Sequence, residues 1–354
     1  MVNRIIKIKS FLNKTGIDGI LIKGKSNKKY ISKLGGSGVK VFITKKDAYI
    51  IADARYIEEA NKICDGFKII DHKGEFYTVL NSIVEKENIE KIAIERIHSS
   101  IDDYFDIKEK INSEIILLND ELEEIRKIKE DIEIDKIKKA CQITDYIFEK
   151  VLSKIKEGVS ERDISAEIQY LAIKEGASAM SFDTIVASGY RSAMPHGRPT
   201  NKKILKGEAI VIDFGIIYED YMSDMTRTVF IDSVPEKIKN IYNVVLKAQL
   251  KSIDFIKEGV AEGEVDSIAR EYIKEKGYGK YFGHGLGHGI GMGENELPVL
   301  KPNRKGILKN NMVMSVEPGI YIPNIGGVRI EDDVVVKGEK GIPLNKTTKE
   351  IIIL

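Results

Sequence analysis

Four carboxylates in the second half of this chain stand in apolar surroundings where a lone acid is costly. Asp213 interrupts AIVIDFG, Asp224 follows in YMSDMTRTVF, and Glu317 and Glu331 occur in MVMSVEPG and GVRIEDDVVV. A carboxylate taken out of water needs compensation. The midpoint of Asp213 and Asp224 falls between Tyr218 and Glu219, beside the polar pair Glu219–Asp220. The midpoint of Glu317 and Glu331 is Asn324, inside the turn-forming stretch Pro323–Gly327. Residues equidistant from a turn face each other across an antiparallel pair, with β-carbons about 5 Å apart. The spacing therefore predicts two hairpins, each carrying a strand-borne, cross-strand acidic pair. Four carboxylates in one core repel unless some stay protonated or cations bind them. Two divalent ions carry the four charges needed. Oxygen ligands with one imidazole suit Mn²⁺, and Co²⁺ or Zn²⁺ also fit. Two such ions about 3.5–4 Å apart can share a hydroxide and polarise a substrate carbonyl.

The imidazole candidates lie in FGHGLGHGIGMGENE (282–296), where glycine occupies every odd position from 283 to 293. Alternation with period two argues for an extended segment. In a strand, His284 and His288 are about 13 Å apart and cannot share one ion. One can be a ligand while the other acts further along the same face. The density of glycine argues against a helix of the HExxH kind. A phosphate loop is disfavoured too, because no GxGxxG and no Lys-Ser/Thr follows. The glycine face lets a neighbouring backbone come close. His196, in YRSAMPHGRP, precedes the first hairpin, whereas His72 and His98 lie in polar, loop-like contexts and are expected to be exposed.

These residues need elements to position them. The chain has 354 residues, enough for about two domains. Residues 1–122 alternate short β-like runs with helical stretches, which argues for an α/β domain. Its strands are GILIKG (19–24), a hairpin over 40–53 turning at Lys45–Asp47, FKII (67–70) and KIAIE (91–95). Residues 121–150 are charged, with apolar positions near helical spacing, and predict one long amphipathic helix bridging two domains. Residues 123–354 then form the second domain, which contains an internal repeat. IKEGV recurs at 155–159 and 256–260, and ILK at 204–206 and 307–309, so ILKGEAIVIDFG aligns with ILKNNMVMSVEPG. Two similar halves, each a helical part followed by a hairpin, give a pseudo-two-fold arrangement with a natural site at the seam.

Composition excludes other classes. Lys+Arg 56 against Asp+Glu 55 leaves a net charge of +1, with no cationic excess to drive nucleic-acid binding. No apolar run approaches the roughly 18 residues of a membrane span. The first residues read as an amphipathic helix with no signal-peptide pattern. Cys64 and Cys141 are far apart in sequence and read as buried or idle thiols of a reducing compartment. A cytoplasmic protein is expected, without nucleic-acid or membrane partners.

With these residues assembled, the chain resembles the pita-bread-fold metallopeptidases, in their proline-peptidase branch of Xaa-Pro aminopeptidases and Xaa-Pro dipeptidases (prolidases). The resemblance rests on FDTIVASGYRSAMPHGRP, VIDFGIIYEDYMSDMTRTVF, GHGLGHGIG, MVMSVEPGIYIP and GGVRIEDDVVV, and on IADARYIEEA in the first domain. It implies an α+β chain: a creatinase-like N-terminal α/β domain followed by a pita-bread catalytic domain. It implies Asp213, Asp224, His288, Glu317 and Glu331 as ligands of two divalent ions, with Glu317 also the proton acceptor for the nucleophilic water. It implies His284 as a hydrogen-bonding partner of substrate and oxyanion, and His196 as a contact to the residue after the scissile bond. Arg329, two residues from Glu331, would orient ligands, and Thr226 would support Asp224. A peptide or dipeptide substrate and a homodimer are also implied. One departure stands out: Asn295 occupies the place where the family commonly has a histidine before Glu-x-Pro. Asn hydrogen-bonds but carries no proton near neutral pH. The alternatives are a hydrolase of another C–N bond on the same scaffold, or a non-catalytic pita-bread binding protein.

Overall fold

The computed structural model describes residues 2–293 and 295–354. The chain divides into two units, one ending at Arg126 and the other beginning at Lys127. In the first, helix α1 (Val2–Thr15) precedes strand β1 (Gly19–Ile22), helix α2 (Lys25–Ser32) and strands β2 (Val39–Thr44) and β3 (Ala48–Ala52). Helix α3 (Ala54–Ile63), β4 (Lys68–Asp71), α4 (Phe76–Glu87), β5 (Lys91–Glu95), α5 (Ile101–Lys110), β6 (Glu114–Leu118) and α6 (Glu121–Arg126) follow. The strands make one sheet in the order β4-β3-β2-β1-β5-β6. β2 and β3 form the expected hairpin, antiparallel with Ile43 opposite Ala48. The Thr44 hydroxyl accepts from the N–H groups of Lys46 and Asp47 and closes its turn. Ile22, Val41, Ile50 and Ile92 are fully buried, as expected of strands covered on both faces. His98 is exposed and His72 half-buried.

The single long helix expected over 121–150 is two helices. α6 stops at Arg126, and α7 (Asp131–Leu152) begins after a break. The break has a cause: Ile128 makes a β-bridge to Met312, and the Lys129 N–H donates to the Asn311 carbonyl. Glu130 then starts α7, its N–H donating to the Glu133 carboxylate. α7 lies wholly in the second unit.

The second unit is built twice. Its first half runs α7, α8 (Glu161–Lys174), β7 (Ala179–Met180), β8 (Ile185–Ser188), β9 (Ala209–Phe214), β10 (Ile216–Tyr218), β11 (Tyr221–Met222) and β12 (Met225–Phe230). Its second runs α9 (Glu236–Phe255), α10 (Glu262–Glu275), β13 (Gly287–Gly289), β14 (Glu296–Leu300), β15 (Val313–Val316), β16 (Gly319–Ile322), β17 (Gly326–Arg329), β18 (Asp332–Lys337) and β19 (Lys340–Pro343). A last strand, β20 (Ile352–Ile353), pairs with β12. Matching backbone bonds establish the repeat. Gly158 N–H donates to Ile204 as Gly259 does to Leu308, and Arg162 to Thr200 as Gly263 does to Arg304. Ile204 is thus equivalent to Leu308, so aligning the two ILK triplets directly is off by one. Burial explains why: Ile204 and Leu308 are fully buried, whereas Leu205 and Ile307 are exposed. The corrected shift makes Asp213 the counterpart of Glu317.

Each half has its own core. Ile147, Val151, Ile164 and Ile168 from α7 and α8 cluster with Val186, Ile210 and Ile212 of one sheet. Val245, Ala248, Val265 and Ala269 from α9 and α10 cluster with Met314, Val316, Val334 and Val336 of the other. Burying each larger aliphatic chain contributes about 1.5–3 kcal/mol. The halves meet where β12 runs beside residues 329–332. Glu331 N–H donates to the Thr226 carbonyl at 3.1 Å, and Arg329 N–H to the Thr228 hydroxyl at 3.2 Å. The acids sit at this seam.

Candidate metal centre

Asp213 is borne on β9, but the other three acids lie at strand breaks and not inside strands. Val316 is opposite Asp332 and Gly319 opposite Arg329, so one register runs through both ladders and Glu317 faces Glu331 in the gap. Pro318, which has no N–H to donate, interrupts the ladder there. The first hairpin turns at the expected pair Glu219–Asp220, both with positive φ, but its register differs: the partner of Asp213 is Thr226 and not Asp224. Asp224 is therefore diagonal to Asp213, just ahead of β12. The two remain neighbours because Asp224 and Thr226 are two residues apart and share a face.

A carboxylate oxygen from each of Asp213, Asp224 and Glu331 lies within 4.8 Å of the others. His288 and Glu317 complete the group: His288 Nε2 is 3.6 Å from Asp224 Oδ2 and 3.6 Å from Glu317 Oε1. Burial pushes the Asp224 and Glu331 carboxyls well above the usual range, and the neighbouring carboxylates push them further. Asp213 is raised too, by burial, with the Arg329 guanidinium opposing.

The donor set fits divalent cations on two counts. Asp213 Oδ1, Asp224 Oδ1 and Glu331 Oε1 are buried with no hydrogen-bond partner among the described residues. Buried polar atoms are normally satisfied. Second, His288 Nδ1 is 3.2 Å from the Gly289 carbonyl, which can only accept. That bond keeps the proton on Nδ1 and turns the Nε2 lone pair toward the carboxylates, the tautomer a ligand requires. Lone pair and carboxylates facing each other call for a cation between them.

Of the segment carrying His284 and His288 only Gly287–Gly289 is a strand, and the two imidazoles take different partners. The glycines behave as a close-packing face: a β-carbon on Gly287 would lie 2.0 Å from the Ser315 carbonyl oxygen, and one on Gly289 2.2 Å from that of Leu297. His284 lines the same cavity as the acids but bonds elsewhere. Its Nδ1 is 2.7 Å from the Gly285 carbonyl and its Nε2 3.0 Å from the Tyr321 hydroxyl. Burial lowers its pKa, so it is neutral and Nε2 accepts from Tyr321.

Arg329 is buried and makes four side-chain hydrogen bonds. It donates to Asp213 Oδ2, to the Thr226 hydroxyl at 3.0 Å, to the Tyr321 hydroxyl at 2.8 Å and to the Pro195 carbonyl at 3.2 Å. Thr226 in turn donates to Glu331 Oε2 at 2.6 Å. Thr226 thus serves Glu331 and not Asp224, because the register sets it one step beyond Asp224. Asp224 is held from behind by Asp333, whose Oδ2 accepts the Asp224 N–H at 2.9 Å and the Cys141 thiol at 3.2 Å. Cys141 and Cys64 are both free and buried. Asp333 and Tyr321 were not singled out in the sequence. The DD pair at 332–333 was the available signal, since adjacent strand residues face opposite ways. Asp332 faces Arg227, with which it forms a fully buried ion pair at 2.7 Å.

The acids open onto a cavity of about 330 Å³, also lined by Phe182, Ile185, His196, Asn295, Val299 and Lys301. His196 is exposed at its edge. Asn295 is exposed with φ of 56°, a left-handed conformation that Asn tolerates. Glu296 braces its loop, accepting the N–H groups of Met292 and Gly293 at 2.9 and 2.6 Å. No helix among the described residues is long and apolar enough to cross a membrane.

Comparison with known proteins agrees with this architecture. Residues 4–128 match the creatinase/prolidase N-terminal domain, and residues 135–338 match metallopeptidase family M24. A Xaa-Pro dipeptidase from Pyrococcus horikoshii is 41% identical, over 99% of both chains. A solved Xaa-Pro dipeptidase from Bacillus anthracis superposes with a TM-score of 0.97 at 43% identity, covering 100% of this chain and 99% of its own. A solved X-Pro aminopeptidase from Thermotoga maritima gives 0.92 at 36% identity, over 99% of each chain. With its paired acids at the seam of two repeated halves, the chain belongs to metallopeptidase family M24, carrying a creatinase/prolidase N-terminal domain.

Proposed function

We propose that this protein hydrolyses the bond between an N-terminal residue and proline, with two divalent ions held by Asp213, Asp224, His288, Glu317 and Glu331. The observation that carries the reading is the set of three buried, unpartnered carboxylate oxygens on Asp213, Asp224 and Glu331. Relatives named Xaa-Pro dipeptidase and X-Pro aminopeptidase support the proline preference. So does the apolar side of the cavity, where Phe182, Ile185, Pro195 and Val299 offer a surface for a pyrrolidine ring. Oxygen-rich ligation with one imidazole favours Mn²⁺, with Co²⁺ or Zn²⁺ as substitutes. When bound, the ions supply an activated water at neutral pH and polarisation of the scissile carbonyl.

The chain's own groups do the rest. Glu317, only half-buried, accepts the proton of the attacking water and passes it to the departing proline nitrogen. Arg329 fixes Asp213, and Thr226 fixes Glu331, so both carboxylates are oriented before substrate arrives. His284 stabilises the developing oxyanion once the substrate takes the place of the Tyr321 hydroxyl and Nε2 takes up a proton, so that it donates where it accepted before. His196 holds the residue after the scissile bond from the cavity edge. Asn295 lies on the cavity wall as a hydrogen-bonding group without proton transfer. The protein acts as a cytoplasmic homodimer in this reading, which light scattering and cell fractionation test.

The direct test is release of alanine from Ala-Pro and from Ala-Pro-Ala by Mn²⁺-loaded protein. Hydrolysis of either supports the reading, and the pair separates dipeptidase from aminopeptidase. Failure on all Xaa-Pro substrates with metal bound overturns it and leaves a hydrolase of another C–N bond or a binding protein.

A further inference from the structure

One stretch of the cavity wall is shaped by a carboxylate that takes no part in the metal centre. Asn295 lines the cavity in the turn between β13 and β14. Across these strands His288 is opposite Val299 and Gly289 opposite Glu296, so Leu297 and Pro298 are extra and the ladder bulges there. The loop beyond the bulge is gathered on the Glu296 side chain. Its Oε1 accepts the Met292 and Gly293 N–H groups, and a β-carbon on Gly291 would lie 2.3 Å from its Oε2. Glu296 is buried, and a carboxylate in that setting needs compensation.

Lys129 supplies the opposite charge. Its Nζ donates to Glu296 Oε2 at 3.5 Å, and the two side chains are 1% and 4% exposed. The lysine is set in place by its backbone. Its N–H donates to the Asn311 carbonyl at 3.0 Å, and Asn311 Nδ2 donates back to the Lys129 carbonyl at 3.1 Å. Asn311 stands just ahead of β15, whose Met314 is opposite Gly289. The pair therefore rests on the strands that carry His288 and lead to Glu317, while its carboxylate holds the loop that carries Asn295. Removing one partner of such a pair leaves a buried charge uncompensated, whereas removing both leaves none.

We infer that Lys129 is a positioning residue for substrate binding: it neutralises Glu296, which holds the 290–295 loop and so sets the Asn295 wall of the cavity. The inference rests on the Xaa-Pro reading and adds to it a residue that does not line the cavity. Loss of one charge-assisted hydrogen bond corresponds to about a tenfold effect on binding.

The test is the steady-state hydrolysis of Ala-Pro by Mn²⁺-loaded wild type, Lys129→Met, Lys129→Arg, Glu296→Gln and the double variant Lys129→Met with Glu296→Gln, with bound Mn²⁺ per chain measured on each. Lys129→Met is expected to raise KM about tenfold, with kcat and metal content as in wild type. Lys129→Arg keeps the wild-type KM. Glu296→Gln also raises KM, and the double variant shows less than the product of the two single effects, because no buried charge is left alone. A wild-type KM in Lys129→Met, or single effects that simply multiply in the double variant, overturns the inference while the Xaa-Pro reading stands. So does a fall in kcat and metal content together with the rise in KM, which marks a general scaffold role. Should Lys129→Met not fold, Glu296→Gln and the double variant decide: recovery of KM on adding Lys129→Met supports the pairing, and equal KM in both overturns it. If wild type hydrolyses no Xaa-Pro substrate, the Xaa-Pro reading fails and the inference with it.

Discussion

Replacing Asp224 with asparagine should make the metal-free protein more stable and the enzyme inactive. The side chain keeps its shape, and its backbone N–H keeps Asp333 as acceptor. What changes is charge. Asp224 shares a cluster with Asp213 and Glu331 whose ligand oxygens lie within 4.8 Å. At that separation and an effective dielectric constant near 20, each like-charge pair costs about 3.5 kcal/mol. Protonation relieves part of this, since the Asp224 and Glu331 carboxyls are pushed well above their ordinary range. We expect about 2–3 kcal/mol of net stabilisation for Asp224→Asn without metal near neutral pH, a rise of about 4–8 °C in the melting temperature. The pH dependence has a definite sign. Carboxyls whose folded pKa is raised bind more protons folded than unfolded. Their contribution is full below the ordinary carboxylate pKa of about 4, and it is lost as pH rises through the raised values. The melting temperatures of wild type and variant should therefore converge near pH 4.5 and separate toward pH 7.5. Added Mn²⁺ at about a hundredfold its Kd should stabilise wild type by about 2.7 kcal/mol and the variant by much less. Differential scanning fluorimetry with and without a chelator reads all of this. A metal-free variant less stable than wild type, or an undiminished metal-induced shift, would refute the electrostatic reasoning.

Two further substitutions probe the scaffold. Gly287→Ala puts a methyl group 2.0 Å from the Ser315 carbonyl oxygen, so β13 must move off β15. It should cost about 2–3 kcal/mol in urea unfolding and weaken metal binding through His288; an unchanged midpoint would contradict the close-packing account. Tyr321→Phe removes the hydroxyl joining Arg329 to His284. It should lower kcat about ten- to a hundredfold at unchanged metal stoichiometry, and a wild-type kcat would show that this link is idle.

Much of the site was legible because each acid is a local anomaly: a carboxylate in an apolar run near a turn announces itself. The symmetry of Glu317 and Glu331 about Asn324 could be read off directly, since Asn324 takes the left-handed conformation this residue favours. The first hairpin could not be registered as well. The polar pair Glu219–Asp220 marked its turn, but centring the hairpin between Tyr218 and Glu219 was one residue early, which set Asp224 and not Thr226 opposite Asp213. The off-by-one ILK alignment has a similar origin, because identity of letters outweighed which of Ile307 and Leu308 is buried. The helix break at 127–130 was invisible, since it comes from pairing with residues 311–312, far away in sequence. The same holds for the supports behind the acids. Asp333 behind Asp224, Thr226 beneath Glu331 and Tyr321 between Arg329 and His284 depend on contacts that no local pattern encodes.

If the seam between the two halves is a dinuclear centre that cleaves Xaa-Pro bonds, metal content and activity must rise together. The most direct measurement is metal content against activity: chelated protein titrated with Mn²⁺, following bound ions per chain and Ala-Pro hydrolysis together. Saturation is expected at two ions per chain, with hydrolysis appearing as they bind and both lost in Glu331→Gln. Binding of fewer than one ion per chain at saturation, or hydrolysis that persists after complete chelation, would contradict it.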